Sequence, residues 1–180
     1  LGNSFNMIFV TNRITGLITN LPYHFRLVVS NALGVAYGFD QIFDQANVVA
    51  WGATYFGQAT VPPELTNLVT SIAAGYDTSL AVNSDGTMVV WGDNTFGQTN
   101  VPAGMNNAVA AAGSDRSSAA LRSDRTVLVW GSNQFRQTNA PPDLTNAVAL
   151  SSGGGHNLAL REDGNVVAWG FNGLGQTNVA

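Results

Sequence analysis

An all-β fold built from repeated units is predicted by three features of this 180-residue sequence. A Trp-Gly pair returns at Trp51-Gly52, Trp91-Gly92, Trp130-Gly131 and Trp169-Gly170, at spacings of 40, 39 and 39 residues, and these four tryptophans are all the chain contains. Self-similarity at such a period marks stacked supersecondary units. Short alternating apolar stretches flank Asp85-Gly86 and Asp163-Gly164, the pattern of a tight hairpin, because Gly adopts positive φ without steric cost. No segment sustains the 3.6-residue periodicity of an amphipathic helix.

The unit reads in order from its tryptophan. Seven residues on stands Gln58, Gln98, Gln137 or Gln176, preceded by Gly57, Gly97 or Gly175, with Arg136 the exception. Pro62, Pro102 and Pro141 follow, then Leu65, Met105 and Leu144 open the runs LTNLV, MNNAV and LTNAV. The stretches SLAV, SAAL and NLAL come next, then the hairpin pair, then the strand that ends in the next Trp-Gly. Arg125 stands where the other hairpins have Gly, so its turn is expected to be strained or of another type. Each unit thus reads as about four short strands, which bury both faces of their sheet only by stacking on neighbours. Units of this length point to the blades of a β-propeller.

The stretch LTNAVALSSGGGHNLALREDGNVVAWGFNGLGQTNV resembles the repeat of the regulator of chromosome condensation family in its compact bacterial form, similar to the propeller-type β-lactamase inhibitory protein. The resemblance covers residues 47–180 and implies a seven-bladed ring. Seven units of this length need about 270 residues, whereas this region supplies three units and a leading VVAWG strand. The expectation is a partial propeller within a longer protein, joined by further blades of its own full-length chain.

Residues 1–46 do not follow the repeat. They read as strands over residues 6–10 and 23–29, a turn over 30–34 and a last strand through Phe43. The stretch ITGLITNLPYHFRLVVSNALGVAYG resembles the C-terminal part of a fibronectin type III domain, a partial β-sandwich in which Leu17 and Tyr23 are spaced as in a tyrosine corner.

Composition narrows the function. Charged residues are 10% of the chain, lysine is absent, and the net charge of −4 lies wholly in the repeats, where nine acids face five arginines. A phosphate-tracking protein carries a basic stripe, so nucleic acid is not an expected partner. No apolar run is long enough for a membrane-spanning helix, and without cysteine there is neither a disulfide nor a thiolate metal site.

Positions that recur in every unit are read as scaffold: the four Trp-Gly pairs, the four glutamines, and Phe56, Phe96, Phe135 and Leu174 five residues after each Trp, all assigned to the core. Positions where the units disagree are the binding candidates. These are Tyr55 and Gln134 after the tryptophans, and Tyr76, Asp77, Asp115, Arg116 and His156 before the SLAV-type strands. Counting strands puts both loops at one end of the blades and the Asp-Gly hairpin at the other. A structural role suits His156 better than catalysis, since its equivalents are Thr78 and Ser117 and the repeats hold no second histidine. Gly153-Gly154-Gly155 lacks the helix and lysine of a phosphate cradle. Asp85, Asp124 and Asp163 belong to separate units and are turn residues first.

No cofactor, metal or catalytic constellation is expected. The expected function is a non-enzymatic protein-binding module, on a secreted or surface protein of bacterial type. The alternatives are a carbohydrate-binding or adhesive module, for which Tyr55 and Tyr76 could stack on sugars, and a guanine-nucleotide exchange regulator like the family namesake.

Overall fold

In the computed structural model the residues described are 23–25, 28–31, 34–37, 41–43, 48–63, 65 and 68–179. The chain divides into two compact units, Leu1–Asp44 and Gln45–Ala180. All elements described are β-strands.

The first unit contains β1 (Tyr23–Phe25), β2 (Val28–Asn31), β3 (Gly34–Tyr37) and β4 (Gln41–Phe43). β1 pairs antiparallel with β4, Tyr23 opposite Phe43, while β2 and β3 form a separate hairpin with Asn31 opposite Gly34. The strand expected over residues 23–29 is therefore two strands in two sheets. Ser30 and Gly34, expected in a turn, belong to the hairpin strands, and the stretch leading to Phe43 is likewise divided. No Gly or Pro stands in the sequence between these two strands, so alternation alone does not separate them. The strand expected at residues 6–10 and the Leu17 half of the proposed tyrosine corner lie outside the described residues.

The second unit is three antiparallel sheets of three strands. They are β5 (Val69–Ala74), β6 (Thr78–Asn83) and β7 (Met88–Gly92), then β8 (Ala108–Gly113), β9 (Ser117–Arg122) and β10 (Val127–Gly131), then β11 (Ala147–Ser152), β12 (His156–Arg161) and β13 (Val166–Gly170). The expected fourth strand is absent from each described sheet. The residues after each Trp-Gly fold into two consecutive tight turns instead, closed by Gly97 N–H to Asn94 O and Asn100 N–H to Gly97 O, both 3.1 Å. Asn94 staples the pair by donating to the Asn100 side chain at 3.0 Å, and Asn133–Asn139 and Asn172–Asn178 repeat the staple. Residues 48–51, the expected leading strand, likewise form no ladder. Every first strand carries a bulge at one equivalent place, between Val69 and Ser71, Ala108 and Ala110, and Ala147 and Ala149.

The three sheets stack as blades, and the core lies between them. Leu80, Val82 and Met88 of the first blade pack on Ala108, Ala120 and Trp130 of the second. Ala112, Ala119, Leu121 and Val129 of the second pack on Leu144, Ala147, Ala159 and Trp169 of the third. Ala81, Ala120 and Ala159 occupy one equivalent position at the middle of the sheets, each fully buried. A methyl side chain suits a central strand covered from both faces, where larger groups would hold the blades apart.

Each blade's last strand is locked to the turn before it. The Trp91 indole donates to the Gln58 carbonyl, Trp130 to Gln98 and Trp169 to Gln137, all at 2.9 Å. The glutamine side chain then accepts the N–H of the residue two earlier: Phe56 at 3.0 Å, Phe96 and Phe135 at 2.8 Å, and Leu174 at 2.9 Å. Trp91, Trp130 and Trp169 are buried as expected. Trp51 is 85% exposed, contrary to its core assignment, because among the described residues no such turn precedes it.

Two positions where arginine replaces glycine, Arg125 in the hairpin and Arg136 in the double turn, keep glycine's geometry. Arg125 has φ +66° and Arg136 φ +61°, against +79° at Gly86 and +79° at Gly97. Arg125 N–H still donates to Arg122 O at 2.9 Å, so the turn is of the same type and strained. A left-handed L-residue costs about 1–2 kcal/mol, offset in part by the extra unfolded-state entropy of glycine. Arg136→Gly is therefore expected to stabilise the chain by about 0.5–1 kcal/mol, read as a rise in Tm or in denaturation midpoint. Gln98→Ala, which strips a fully buried side chain from the Phe96 N–H and from Asp93, is expected to destabilise by about 2 kcal/mol in chemical unfolding.

Candidate binding face

Both variable loops of each blade emerge at one end of its sheet and are tied together there. Asp93 N–H donates to Asp77 O, Ser132 N–H to Arg116 O and Phe171 N–H to Gly155 O, each at 2.8 Å. This contact explains the glycine after each internal tryptophan. A Cβ on Gly92, Gly131 or Gly170 would lie 2.2–2.6 Å from the carbonyl oxygen of Asp77, Arg116 or Gly155. Neighbouring blades meet at the same end through Tyr76 N–H to Ser114 O at 3.2 Å. They meet at the opposite end through Ala108 N–H to Gly86 O and Ala147 N–H to Arg125 O, both 3.0 Å. The loops of all three blades therefore share one face.

On this face Tyr55 is 90% and Tyr76 79% exposed. Tyr76 also walls a cleft of about 470 Å³ shared with Trp51, Ile72 and Leu80. Asp77 accepts the Gln58 side-chain amide at 3.0 Å, which joins the preceding turn to the first blade. Arg116 pairs with Asp115 at 3.2 Å and lays its guanidinium over Phe96, 4.8 Å from the ring centroid. Gln134 is exposed. The His156 ring covers Gly153, where an added Cβ would come within 2.4 Å of it, so this half-buried side chain props its own loop.

Four repeated residues read as core lie on this face instead. Phe56, Phe96, Phe135 and Leu174 are 51%, 42%, 40% and 89% exposed. Each sits in the double turn rather than in a strand, so only its inner edge meets protein. Phe135 contacts Phe171 of the next blade, centroids 4.8 Å apart and planes tilted by 55°. Alignment to the tryptophans finds these positions, but their recurrence resembles that of buried residues.

Asp93 also belongs to the face. The Thr95 hydroxyl donates to its carboxylate at 2.6 Å and the Thr95 N–H at 3.0 Å. The Thr95 hydroxyl above all, with the Thr95 N–H, the Gln98 amide and the Asn94 N–H, holds its carboxyl below the ordinary value against the opposing desolvation. Asp85 and Asp124 at the hairpin end are lowered mainly by the Thr87 and Thr126 hydroxyls, and Asp163 mainly by the Asn165 N–H. A carboxylate with a depressed folded-state pKa contributes stability above its unfolded value and loses it as pH falls through the folded one. Unfolding free energy is thus expected to drop below about pH 4, and less steeply in Asp93→Asn, as chemical denaturation across pH will read.

The family model of the regulator of chromosome condensation (RCC1) repeat matches residues 69–98 and 147–176. Among solved structures, Prp20p of Saccharomyces cerevisiae aligns with TM-score 0.55 and 20% identity over 77% of this chain and 43% of that one. Yeast RCC1 (Prp20) bound to Kap60 gives 0.54 and 20% over 68% and 39%. Human WBSCR16 gives 0.55 and 19% over 67% and 41%. The chain thus spans about two-fifths of the length of these structures. A comparison with curated protein sequences finds no match. With its repeated Trp–Gln lock and stacked three-stranded sheets, the second unit is an RCC1-like array of blades, part of a β-propeller.

Proposed function

We propose that the second unit is a protein-interaction module that binds through the loop face, as part of a secreted or surface protein of bacterial type. The observation that carries the reading is the solvent-exposed apolar residue at one position of every double turn, Phe56, Phe96, Phe135 and Leu174, beside loops that differ between blades. Soluble proteins bury large apolar groups where they can, and aromatic groups with arginine are the side chains that anchor interfaces. Tyr55, Tyr76 and the Arg116–Phe96 stack are anchors of this kind, and Asp77, Asp115 and Gln134 supply the polar contacts beside them. The Prp20 structures support the reading by analogy: one holds Kap60, and the other is described with binding to Gsp1p and histones. Neither partner is carried over to this chain at 20% identity.

A glycan-binding reading is favoured by one observation, the high exposure of Tyr55 and Tyr76. A nucleotide-exchange role gains nothing from the charge, which is −4 with no lysine. The test immobilises the full chain, identifies captured proteins and measures their affinity for variants. Tyr76→Ser and the Phe96→Ser/Arg116→Ala pair are expected to weaken binding at least about tenfold each, while Glu162→Gln at the hairpin end leaves it unchanged. Equal affinity for all variants, or saccharide binding on an array with no protein captured, would overturn the proposal.

A further inference from the structure

Two arginines of the repeats stand at left-handed backbone positions, and only one has a recompense among the described residues. Arg125 pairs with Glu162 of the next hairpin. Arg136 takes the place of Gly57, Gly97 and Gly175, at φ +61°. Its side chain is exposed, and no carboxylate among the described residues pairs with it, whereas Arg116 has Asp115 and Arg161 has Asp143. Backbone strain of this kind clusters at binding sites. The surroundings fit one. Arg136 follows Phe135, whose ring lies on Phe171 with centroids 4.8 Å apart and against Gly155, where an added Cβ would come within 3.0 Å of it. A Cβ on Gly154 would meet nothing within 4 Å, so the loop beside the rings is low main chain. The matching loops carry Tyr76-Asp77 and Asp115-Arg116, and the second of these covers Phe96. Charge is divided in the same way. Asp77, Asp93 and Asp115 lie around the first two Trp–Gln junctions, while residues 132–139, 153–156 and 171–178 contain no acid. The third junction lies between the second and third blades, so both of its walls are described.

We propose that this junction takes an acidic segment of the protein partner and that Arg136 sets that selectivity, an inference that rests on the loop-face reading above. A Glu or Asp carboxylate of the segment accepts from the guanidinium, whose planar donors match it in pairs. The neighbouring apolar side chain of the segment packs on Phe135 and Phe171 above the glycine loop. The occupant is argued from charge complementarity, because a cation stands here beside an open ring pair with no acid in the turns and loop around it. Arg136 gives up no internal ion pair on binding, whereas Arg116 must leave Asp115 to do the same. A contact of this kind decides which partner binds and how steeply salt weakens it.

The test selects phage-displayed random peptides of about twelve residues on the immobilised full chain and measures the affinity of the enriched peptides for variants. Enriched peptides are expected to carry Glu or Asp beside an apolar residue. Arg136→Gly is expected to weaken their binding about tenfold while the chain melts at a higher temperature, so lost binding is not lost folding. Arg136→Gln keeps the strained backbone without the charge and is expected to weaken binding equally, and Arg136→Lys less. Added salt is expected to weaken binding to the unmodified chain more than to Arg136→Gly. Enriched peptides without an acid overturn the inference, as does unchanged affinity for Arg136→Gly and Arg136→Gln. If such peptides still lose affinity for the Phe96→Ser/Arg116→Ala pair, the loop-face reading stands and only the role of Arg136 falls. Peptides insensitive to every loop-face variant, or no enrichment at all, overturn both.

Discussion

The structure of the second unit depends on one hydrogen bond made three times, from a tryptophan indole to the main-chain carbonyl of a glutamine in the turn before. The bond couples two kinds of order. The indole ring buries the bulk of its surface, worth about 4–6 kcal/mol at the usual coefficient, and its N–H fixes where the preceding turn must lie. The glutamine side chain then closes that turn on the backbone of the residue two earlier, so one side chain and one carbonyl hold a double turn with no strand pairing. At two junctions a second donor joins the carbonyl, Ser79 Oγ at 2.8 Å or Asn157 Nδ2 at 2.9 Å. At the middle junction Ser118 Oγ is buried without a partner among the described residues, and the indole holds the carbonyl by itself. The indole bond is thus the invariant part and the strand donor the adjustable one.

From this lock follows the division of the molecule into scaffold and display. Turns held at their bases need no sequence rule at their tips, and the tips are where the units differ: Tyr55, Thr95, Gln134 and Gly173 after the tryptophans, and the loops at Tyr76, Arg116 and Gly155. The repeated Phe or Leu stands between the two regimes. Its backbone N–H is tied to the glutamine, which fixes its position, while its side chain protrudes from the turn, and at Phe96 and Phe135 the ring meets the next blade's loop. Arg116 over Phe96 and Phe171 beside Phe135 are two different solutions to covering the same ring. The chemistry of the face therefore varies from blade to blade over a constant apolar row.

Periodicity made most of this legible. The number of blades, the order of the three strands and the hairpin, and the common end of the variable loops follow from the 39-residue register. What the register does not carry is which side of the protein surface a recurring residue occupies. Phe56, Phe96, Phe135 and Leu174 recur as strictly as the buried tryptophans, yet they recur inside turns that have no alternation to orient them. The count of four strands fails for the same reason, because the residues after each Trp-Gly fold into turns with no alternation to distinguish them from a strand. The first unit was less legible. Its first two strands, Tyr23–Phe25 and Val28–Asn31, lie in different sheets, and no Gly or Pro in the sequence between them shows it.

The middle blade makes the physical basis of the repeat most visible. It departs furthest from the pattern, with arginine at both left-handed positions, and the repeat model matches the blades on either side of it. Yet it is the blade covered on both faces. Its first strand is held by Ala108 N–H on Gly86 O and its hairpin by Ala147 N–H on Arg125 O. Its tryptophan grips the turn before it, and the turn after it is gripped by Trp169. Neighbours fixed on both sides over-determine the backbone, which is the condition under which a strained residue persists. A stacked array can therefore relax its sequence rules in its interior, because there contacts from the neighbours on both sides hold the strained backbone in place.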